Sequence, residues 1–125
     1  YTNLPTWTTA FNTTRYLSLA FPAYVPAGAT VRSASFKHSY RAATTGTTCF
    51  YFAVYQGNTL VSTHGSSATP VSCNSTTSYV TDTTSLPAVD AVAEANNLTV
   101  RVYMRNSGSL KSQHDLGELT VNYTE

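Results

Sequence analysis

Charged residues are scarce in this chain. Only 13 of its 125 residues are Lys, Arg, Asp or Glu, and the formal net charge is +1. A typical soluble domain carries about 25% charged residues, so other polar groups must keep this surface hydrated. The few positive charges are scattered along the sequence. This excludes the basic stripe of a nucleic-acid-binding protein and the polybasic cluster that binds anionic lipid.

Long apolar runs are also missing. No segment approaches the roughly 20 apolar residues of a membrane helix, so we expect no membrane span. The sequence from Tyr1 onward contains no signal-peptide pattern, and we interpret Tyr1 as the start of a mature or excised segment. The apolar fraction is nevertheless 42%, with nine Tyr, five Phe and one Trp. This composition and length predict one domain with a hydrophobic core of its own.

Hydroxyl side chains take the place of the missing charges. Thr occupies 22 positions and Ser another 14. Thr is β-branched and favours strands. This composition therefore predicts an all-β extracellular domain whose surface is covered with hydroxyl groups.

Cysteine is rare, with only Cys49 and Cys73 present. Two buried free thiols are one interpretation. A disulfide is the better one, because charge-poor and hydroxyl-rich chains are typical of oxidising compartments. The two cysteines lack the CxxC spacing of a metal site, and no histidine stands near either of them. We therefore predict a Cys49–Cys73 disulfide and no cofactor.

Apolar and polar residues alternate along much of the chain, with turns rich in Gly, Pro and Asn between the alternating segments. Seven to nine short strands fit this pattern, which predicts an antiparallel β-sandwich of jelly-roll type over residues 13–125. The one helix candidate lies near residues 86–95, where we expect at most one short helix of one or two turns, with Ser85 as its candidate cap. Three strands should point alternate residues inward: Ala34, Phe36, His38 and Tyr40; Leu98, Val100, Val102 and Met104; and Leu119, Val121 and Tyr123.

Three stretches resemble secreted bacterial jelly-roll-like modules of cell-surface and pilus-like fibre proteins. They are VPAGATVRSASFKHSY at 25–40, NNLTVRV at 96–102 and DLGELTVNY at 115–123. The resemblance lies in the pattern of strands and turns and covers about the last hundred residues. It implies a stalk, adhesin or pilus building block, and some modules of this kind bind glycans. A Lys–Asn isopeptide bond would need Lys37 or Lys111 with Asn122 and Glu118, but alternation points Lys37, Asn122 and Glu118 outward.

Catalytic and metal motifs are not recognisable. His38, His64 and His114 have no nucleophile elbow or oxyanion loop beside them. We expect His38 in the core, His64 and His114 in turns, and no enzymatic activity. The six acids are too dispersed for a calcium loop, although a calcium ion between loops, with Asp82 or Asp115 as ligand, stays open.

Four sequons are candidate glycosylation sites. They begin at Asn12, Asn74, Asn97 and Asn122. A chain with this much Ser and Thr contains about two such triplets by chance, so hydroxyls that merely hydrate loops remain the alternative.

The first twelve residues form an apolar but extended arm. Tyr1, Leu4, Trp7 and Phe11 are widely spaced in it, and Pro5 excludes a helix interior. The arm has two alternative fates. It packs on its own domain, or it adds a strand to the sheet of a neighbouring copy, with these four residues at the subunit interface.

These observations predict a secreted structural subunit of a surface filament or pilus-like fibre. It would assemble head-to-tail from identical copies, partly through the arm, because head-to-tail contacts that do not close generate filaments. The alternative is a carbohydrate-binding module. Its binding face would use exposed aromatic residues, with these as candidates: Trp7, Tyr51, Tyr55, Tyr79 and Tyr103.

Overall fold

Strands make up most of the chain in a computed structural model, which describes residues 2–3, 16–22, 25–42, 46–107 and 112–125. Of residues 2–3 only the backbone is described. The elements are β1 (Thr2–Asn3), β2 (Leu17–Phe21), β3 (Thr30–Ala42), β4 (Thr48–Gln56), β5 (Thr59–His64), β6 (Ser72–Asn74), β7 (Val80–Ser85), α1 (Val92–Ala95), β8 (Leu98–Asn106) and β9 (Ser112–Thr124).

The strands form two antiparallel sheets that pack face to face. The β9 sheet has the order β1-β9-β3-β7, and the β8 sheet has the order β2-β8-β4-β5, with β6 also paired to β4. The chain passes back and forth between the sheets, and in each sheet an N-terminal strand lies beside a C-terminal one. This is the strand order of a jelly roll, so the predicted fold class is confirmed.

The core follows the predicted alternation in two strands. Ala34, Phe36, His38 and Tyr40 of β3 are buried, as are Leu98, Val100, Val102 and Met104 of β8. From β4, Phe50, Phe52 and Val54 enter the same layer. Burial of these large side chains supplies the main driving force for packing the sheets together.

A disulfide joins Cys49 of β4 to Cys73 of β6. The two residues lie directly opposite each other in the β4–β6 ladder and are 24 positions apart in sequence. The predicted bridge is confirmed, and the alternative of two free thiols is wrong.

The short helix lies within the predicted segment, where it forms one turn, Val92–Ala95. Ser85 does not cap it, because β7 extends to Ser85 and pairs it with Ser35. Leu86 and Val89 are instead buried as anchors of a turn between the sheets. In the part of the chain that is described, this four-residue helix is the only one, and no helix is long and apolar enough to cross a membrane.

Three local predictions were wrong. His64 ends β5, and His114 lies inside β9, so neither is in a turn. β9 starts at Ser112 because β3 pairs with it along nearly its whole length. This pairing includes the polar residues at the start of β9, among them His114. Tyr123 is 39% exposed rather than inward-facing, since it lies at the end of β9, against Val31 near the start of β3.

Candidate functional site

Within the described residues, one sheet edge has no paired strand over much of its length. β9 pairs with β3 from Ser112 to Thr124. On its other side, among the described residues, only Gln113 and His114 are paired, with Asn3 and Thr2 of the same chain. Positions 115–124 therefore present one row of main-chain donors and acceptors without a described strand beside them. Such an edge is a template for pairing with an added strand.

Half-buried apolar side chains lie beside this edge, and we call them the edge groove: Leu17, Leu19 and Phe21 of β2 with Leu119 and Val121 of β9. They pack against the core without being fully covered by it. β2 and β9 approach closely here, because a Cβ at Gly117 would collide with the side chain of Leu19. The two sheets are therefore in close contact at Gly117. Further along β9, the inward-facing side chains Leu119 and Val121 are only half-buried.

The predicted interface residues of the arm are not in the described part of the chain. Tyr1, Leu4, Trp7 and Phe11 lie outside it, and Thr2–Asn3 is the only described segment of the first twelve residues. That segment runs antiparallel to β9 of its own chain.

A second feature is a cluster of four tyrosines and one arginine on the outer face of the β8 sheet, which we call the tyrosine face. It consists of Tyr16, Tyr51, Tyr55, Arg101 and Tyr103. The rings of Tyr51 and Tyr103 stack with centroids 4.7 Å apart, and Tyr16 packs on Tyr103 at 5.5 Å. The Arg101 guanidinium carbon lies 4.7 Å from the Tyr16 ring centre and 4.0 Å from that of Tyr55. Arg101 is therefore held between two rings.

The environment raises the pKa of two phenols of the tyrosine face, those of Tyr51 and Tyr103. Burial raises the pKa of Tyr51, and the nearby Tyr103 adds to this effect. Burial also raises the pKa of Tyr103, although Arg101, which donates a hydrogen bond to its hydroxyl, opposes the shift. A neutral phenol both donates and accepts hydrogen bonds.

Charge on this sheet has one sign. The strands of the β8 sheet contain Arg101 and Arg105 and no acid. Both arginines lie in register with outward-facing residues of β4, Ala53 and Cys49. The acids are elsewhere: Asp82 in β7, Asp90 and Glu94 in the 86–97 connection, Asp115 and Glu118 in β9, and Glu125 after it.

Sequence reasoning found only part of the tyrosine face. Tyr51, Tyr55 and Tyr103 were named as binding aromatics, and the fold brings them together. Tyr79 instead lies under Arg41 of the β9 sheet, 4.6 Å from the guanidinium carbon, and Trp7 is outside the described residues. Tyr16 and Arg101 were missed. Period two alone places Arg101 beside Tyr103 on β8. Only the pairing of β2 with β8, which sets Leu17 opposite Val102, brings the preceding Tyr16 onto Tyr103.

The histidines form a buried pair rather than a catalytic triad. His38 Nε2 and His114 Nδ1 are 2.7 Å apart, and the rings stack at 4.8 Å. Burial, with His114 as a second cause, lowers the pKa of His38 to about 3. Burial also lowers the pKa of His114. His38 is fully buried, which confirms the predicted core histidine.

His64 is separate from this pair. Its Nε2 lies 2.9 Å from Ser62 Oγ on the same strand, and its ring stacks on Phe52. No carboxylate in the described ranges bonds to this imidazole, so the third member of a Ser-His-acid arrangement is not found there. The absence of enzymatic activity stays a prediction.

Among the described metal and crosslink candidates, the structure shows a contact only between Lys37 and Glu118. Asp82 is opposite His38 in the β3–β7 ladder, whereas Asp115 is exposed on β9. Within the described ranges no three metal-ligating side chains form a cluster. Lys37 makes an exposed ion pair with Glu118, with Nζ and Oε1 3.8 Å apart. The amide of Asn122 donates to Ser33, and Lys111 lies outside the described part.

The sequons differ in accessibility. Asn97 is exposed in a left-handed conformation, and Asn122 is exposed on β9. Asn74 is buried: its amide nitrogen donates to two carbonyls and its amide oxygen accepts from the Thr76 N–H. Asn12 is outside the described residues. Glycosylation stays a prediction, and accessibility favours Asn97 and Asn122.

Comparison of the chain with models of known protein families, with characterised proteins and with solved structures gives no match. Only the geometry above therefore bears on its function, and the resemblance to fibre modules stays a prediction.

Proposed function

We propose that this chain is an extracellular structural subunit of a surface filament. In the filament, the N-terminal arm of one copy adds a strand to the open edge of β9 in the next. The observation that carries the proposal is that edge, positions 115–124, with half-buried apolar side chains beside it. The disulfide and the hydroxyl-rich, charge-poor composition support an extracellular location.

The arm matches the edge in length. Twelve extended residues span about 40 Å at 3.3 Å each, and β9 offers twelve positions from Gln113 to Thr124. In the single chain only two residues of the arm are described as paired with β9. Addition of an arm from another copy, in a register shifted along β9 from this one, would make the same kind of main-chain bond at many more positions, as in β-strand addition.

The arm also matches the edge groove in chemistry. In an extended strand, alternate residues face the same side, so Tyr1, Trp7 and Phe11 share one side and Leu4 faces the other. The first three would cover the edge groove. Burial of one large aromatic side chain contributes about 1.5–3 kcal/mol. Pro5 is tolerated because an added strand is itself an edge strand, where one N–H is not needed.

Pairing of β9 with β9 of another copy is less favourable. A symmetric antiparallel pairing about Thr120 would set Asp115 against Glu125, and like charges opposite each other destabilise a sheet. The arm contains no charged side chain. This difference favours the arm as the strand that β9 accepts.

The test is to block either half of the contact. Deletion of residues 1–12 should give monomers, and a synthetic peptide of residues 1–12 should bind to them. Val121→Lys, which sets a charge in the edge groove, should prevent assembly of the full chain. Thr84→Lys, at a half-buried position of β7 on the opposite edge of the same sheet, is the matched control and should still assemble.

Assembly is measured by negative-stain microscopy and light scattering. Melting curves of each variant separate loss of assembly from loss of folding. Normal filaments from the truncated chain or from Val121→Lys would refute the strand-addition proposal. A full-length chain that remains a monomer at every concentration would refute the filament itself.

A further inference from the structure

We infer that the tyrosine face is a binding site for a carboxylate-bearing saccharide, such as a uronate oligomer. This site is on the outer surface of the β8 sheet, away from the edge of β9. It does not depend on the filament proposal.

Arg101 is pre-arranged to bind an anion. Its guanidinium lies between the rings of Tyr16 and Tyr55. Stacking uses the two faces of the planar group and leaves its N–H donors directed in the plane. One of these N–H groups donates a hydrogen bond to the Tyr103 hydroxyl. An arginine has five such donors in a fork that matches a carboxylate, and a side chain that is already ordered loses less entropy on binding.

The positive charge of the β8 sheet favours an anionic ligand. The strands of the β8 sheet carry two arginines and no acid. Arg105 is two residues from Tyr103 and therefore on the same side of β8. A bound carboxylate meets no nearby acid of this sheet, so the local field favours an anion.

The tyrosines select a polyhydroxyl ligand. Their hydroxyls donate and accept hydrogen bonds. The ring of Tyr16, which is 38% exposed, and the half-buried rings of Tyr51 and Tyr55 offer apolar surface to the C–H groups of a sugar, whereas Tyr103 is only 9% exposed. Tyr51, Tyr103 and Tyr16 cross three neighbouring strands, a distance of about 10 Å at 4.8 Å per strand. Tyr55 lies about 13 Å from Tyr51 along β4. The outer face of a sheet, over these distances, suits an extended saccharide chain better than a small metabolite, which binds in a concave pocket.

The experiment is isothermal titration calorimetry of the full-length protein with an oligogalacturonate. Its methyl ester, which has the same backbone without the charge, is the uncharged control ligand. We expect the acid to bind and the ester to bind at least about tenfold more weakly. Added salt should weaken binding of the acid, because the ion pair between Arg101 and the ligand carboxylate is partly exposed to solvent and is therefore screened.

The variants assign binding to the tyrosine face. Arg101→Gln should weaken binding of the acid at least about tenfold. Arg101→Lys should restore only part of it, because an ammonium lacks the planar fork. Tyr55→Leu should also weaken binding. The control is Arg32→Gln, which removes an exposed arginine of the β9 sheet and should leave binding unchanged.

Four outcomes would overturn the inference. They are no binding of the oligogalacturonate, equal binding of the methyl ester, equal binding of a poly-glutamate peptide, and loss of binding in Arg32→Gln to the same extent as in Arg101→Gln. The peptide result would identify a general acidic-polymer site instead of a saccharide site. The truncated chain without residues 1–12 should bind the oligogalacturonate as the full chain does, so failure of the filament proposal leaves this test intact.

Discussion

At the scale of single residues, the buried histidine pair is the most informative group. His38 and His114 share one short N···N contact inside the sandwich, so one neutral ring donates and the other accepts. Asp82 lies opposite His38 in the ladder, and Asp115 follows His114. Asp115 raises the pKa of His114, but burial outweighs it and the net pKa is lowered. Both rings are therefore neutral in the folded chain at neutral pH.

This pair predicts that acid destabilises the fold. The pKa of His38 is about 3 in the folded state and about 6.5 in the unfolded state. Between these values unfolding takes up a proton, so the free energy of unfolding falls as pH drops below 6.5. The slope is about 1.4 kcal/mol per pH unit for each histidine that stays neutral. Urea denaturation between pH 7 and 4.5 measures it, and this range lies above most of the carboxylate titration.

His38→Gln should reduce that slope, and His64→Gln, at a half-buried ring outside the pair, should reduce it less. Since His38→Gln removes core packing, NMR titration of the unmodified chain gives an independent measurement. The ring proton of His38 should keep its chemical shift down to pH 5. A titration of His38 near pH 6.5 would contradict the prediction.

At the scale of elements, the sequence predicts a strand well where the two faces of that strand differ from each other in polarity. β3 and β8 alternate between apolar and hydroxyl or charged residues, so Phe36 and Val100 were placed in the core from pattern alone. The start of β9 is different. Ser112, Gln113 and His114 are buried polar residues, and only pairing with β3 orders them.

Long-range register limits the prediction of sites in the same way. A shift in the β3–β9 register between Ser39 and Tyr40 affects which residues face each other where His38 meets His114, 76 positions apart in sequence. The tyrosine face joins β2, β4 and β8, and its composition depends on two registers. Period two identifies the outward side of each strand, but it does not indicate which strand lies beside which.

The disulfide acts at the scale of one ladder. It closes a loop of 24 positions between β4 and β6, for which the chain-entropy estimate is about 3 kcal/mol. The double variant Cys49→Ser, Cys73→Ser should unfold at lower urea, with the free energy of unfolding reduced by about that amount. It should keep the fold, because β8 pairs β4 along its whole length.

Two further measurements check this prediction. Thiol counting in denaturant without reductant should find no free thiol in the unmodified chain. Reductant should lower the stability of the unmodified chain to that of the double variant and leave the variant unchanged. Two titratable thiols in the unmodified chain would contradict the bridge.

At the scale of the whole molecule, the two proposed contacts use different surfaces. Strand addition uses the edge of β9, and saccharide binding uses the outer face of the β8 sheet. A filament of such subunits would repeat the tyrosine face at regular intervals. Repeated sites on one polymer convert a weak single-site affinity into much tighter overall binding when the ligand is also a polymer.

The molecule must also avoid pairing with itself through the wrong strand. Asp115 and Glu118 lie on β9, and Glu125 follows it directly. Charged residues along an exposed edge are a common means of preventing edge-to-edge association. We expect these acids to keep two β9 edges apart while leaving the uncharged arm free to pair.

This predicts a specific dimer. In the chain lacking residues 1–12, Asp115→Asn with Glu118→Gln should allow two β9 edges to pair, because the like charges that oppose the contact are reduced. The matched control, Asp90→Asn with Glu94→Gln, removes the same charge from the connection between β7 and β8 and should stay monomeric. Sedimentation equilibrium should give twice the monomer mass for the β9 variant at concentrations where the control gives one. If both variants dimerise equally, net charge rather than the β9 acids governs association, and if neither does, the open edge is not a pairing surface for a second β9.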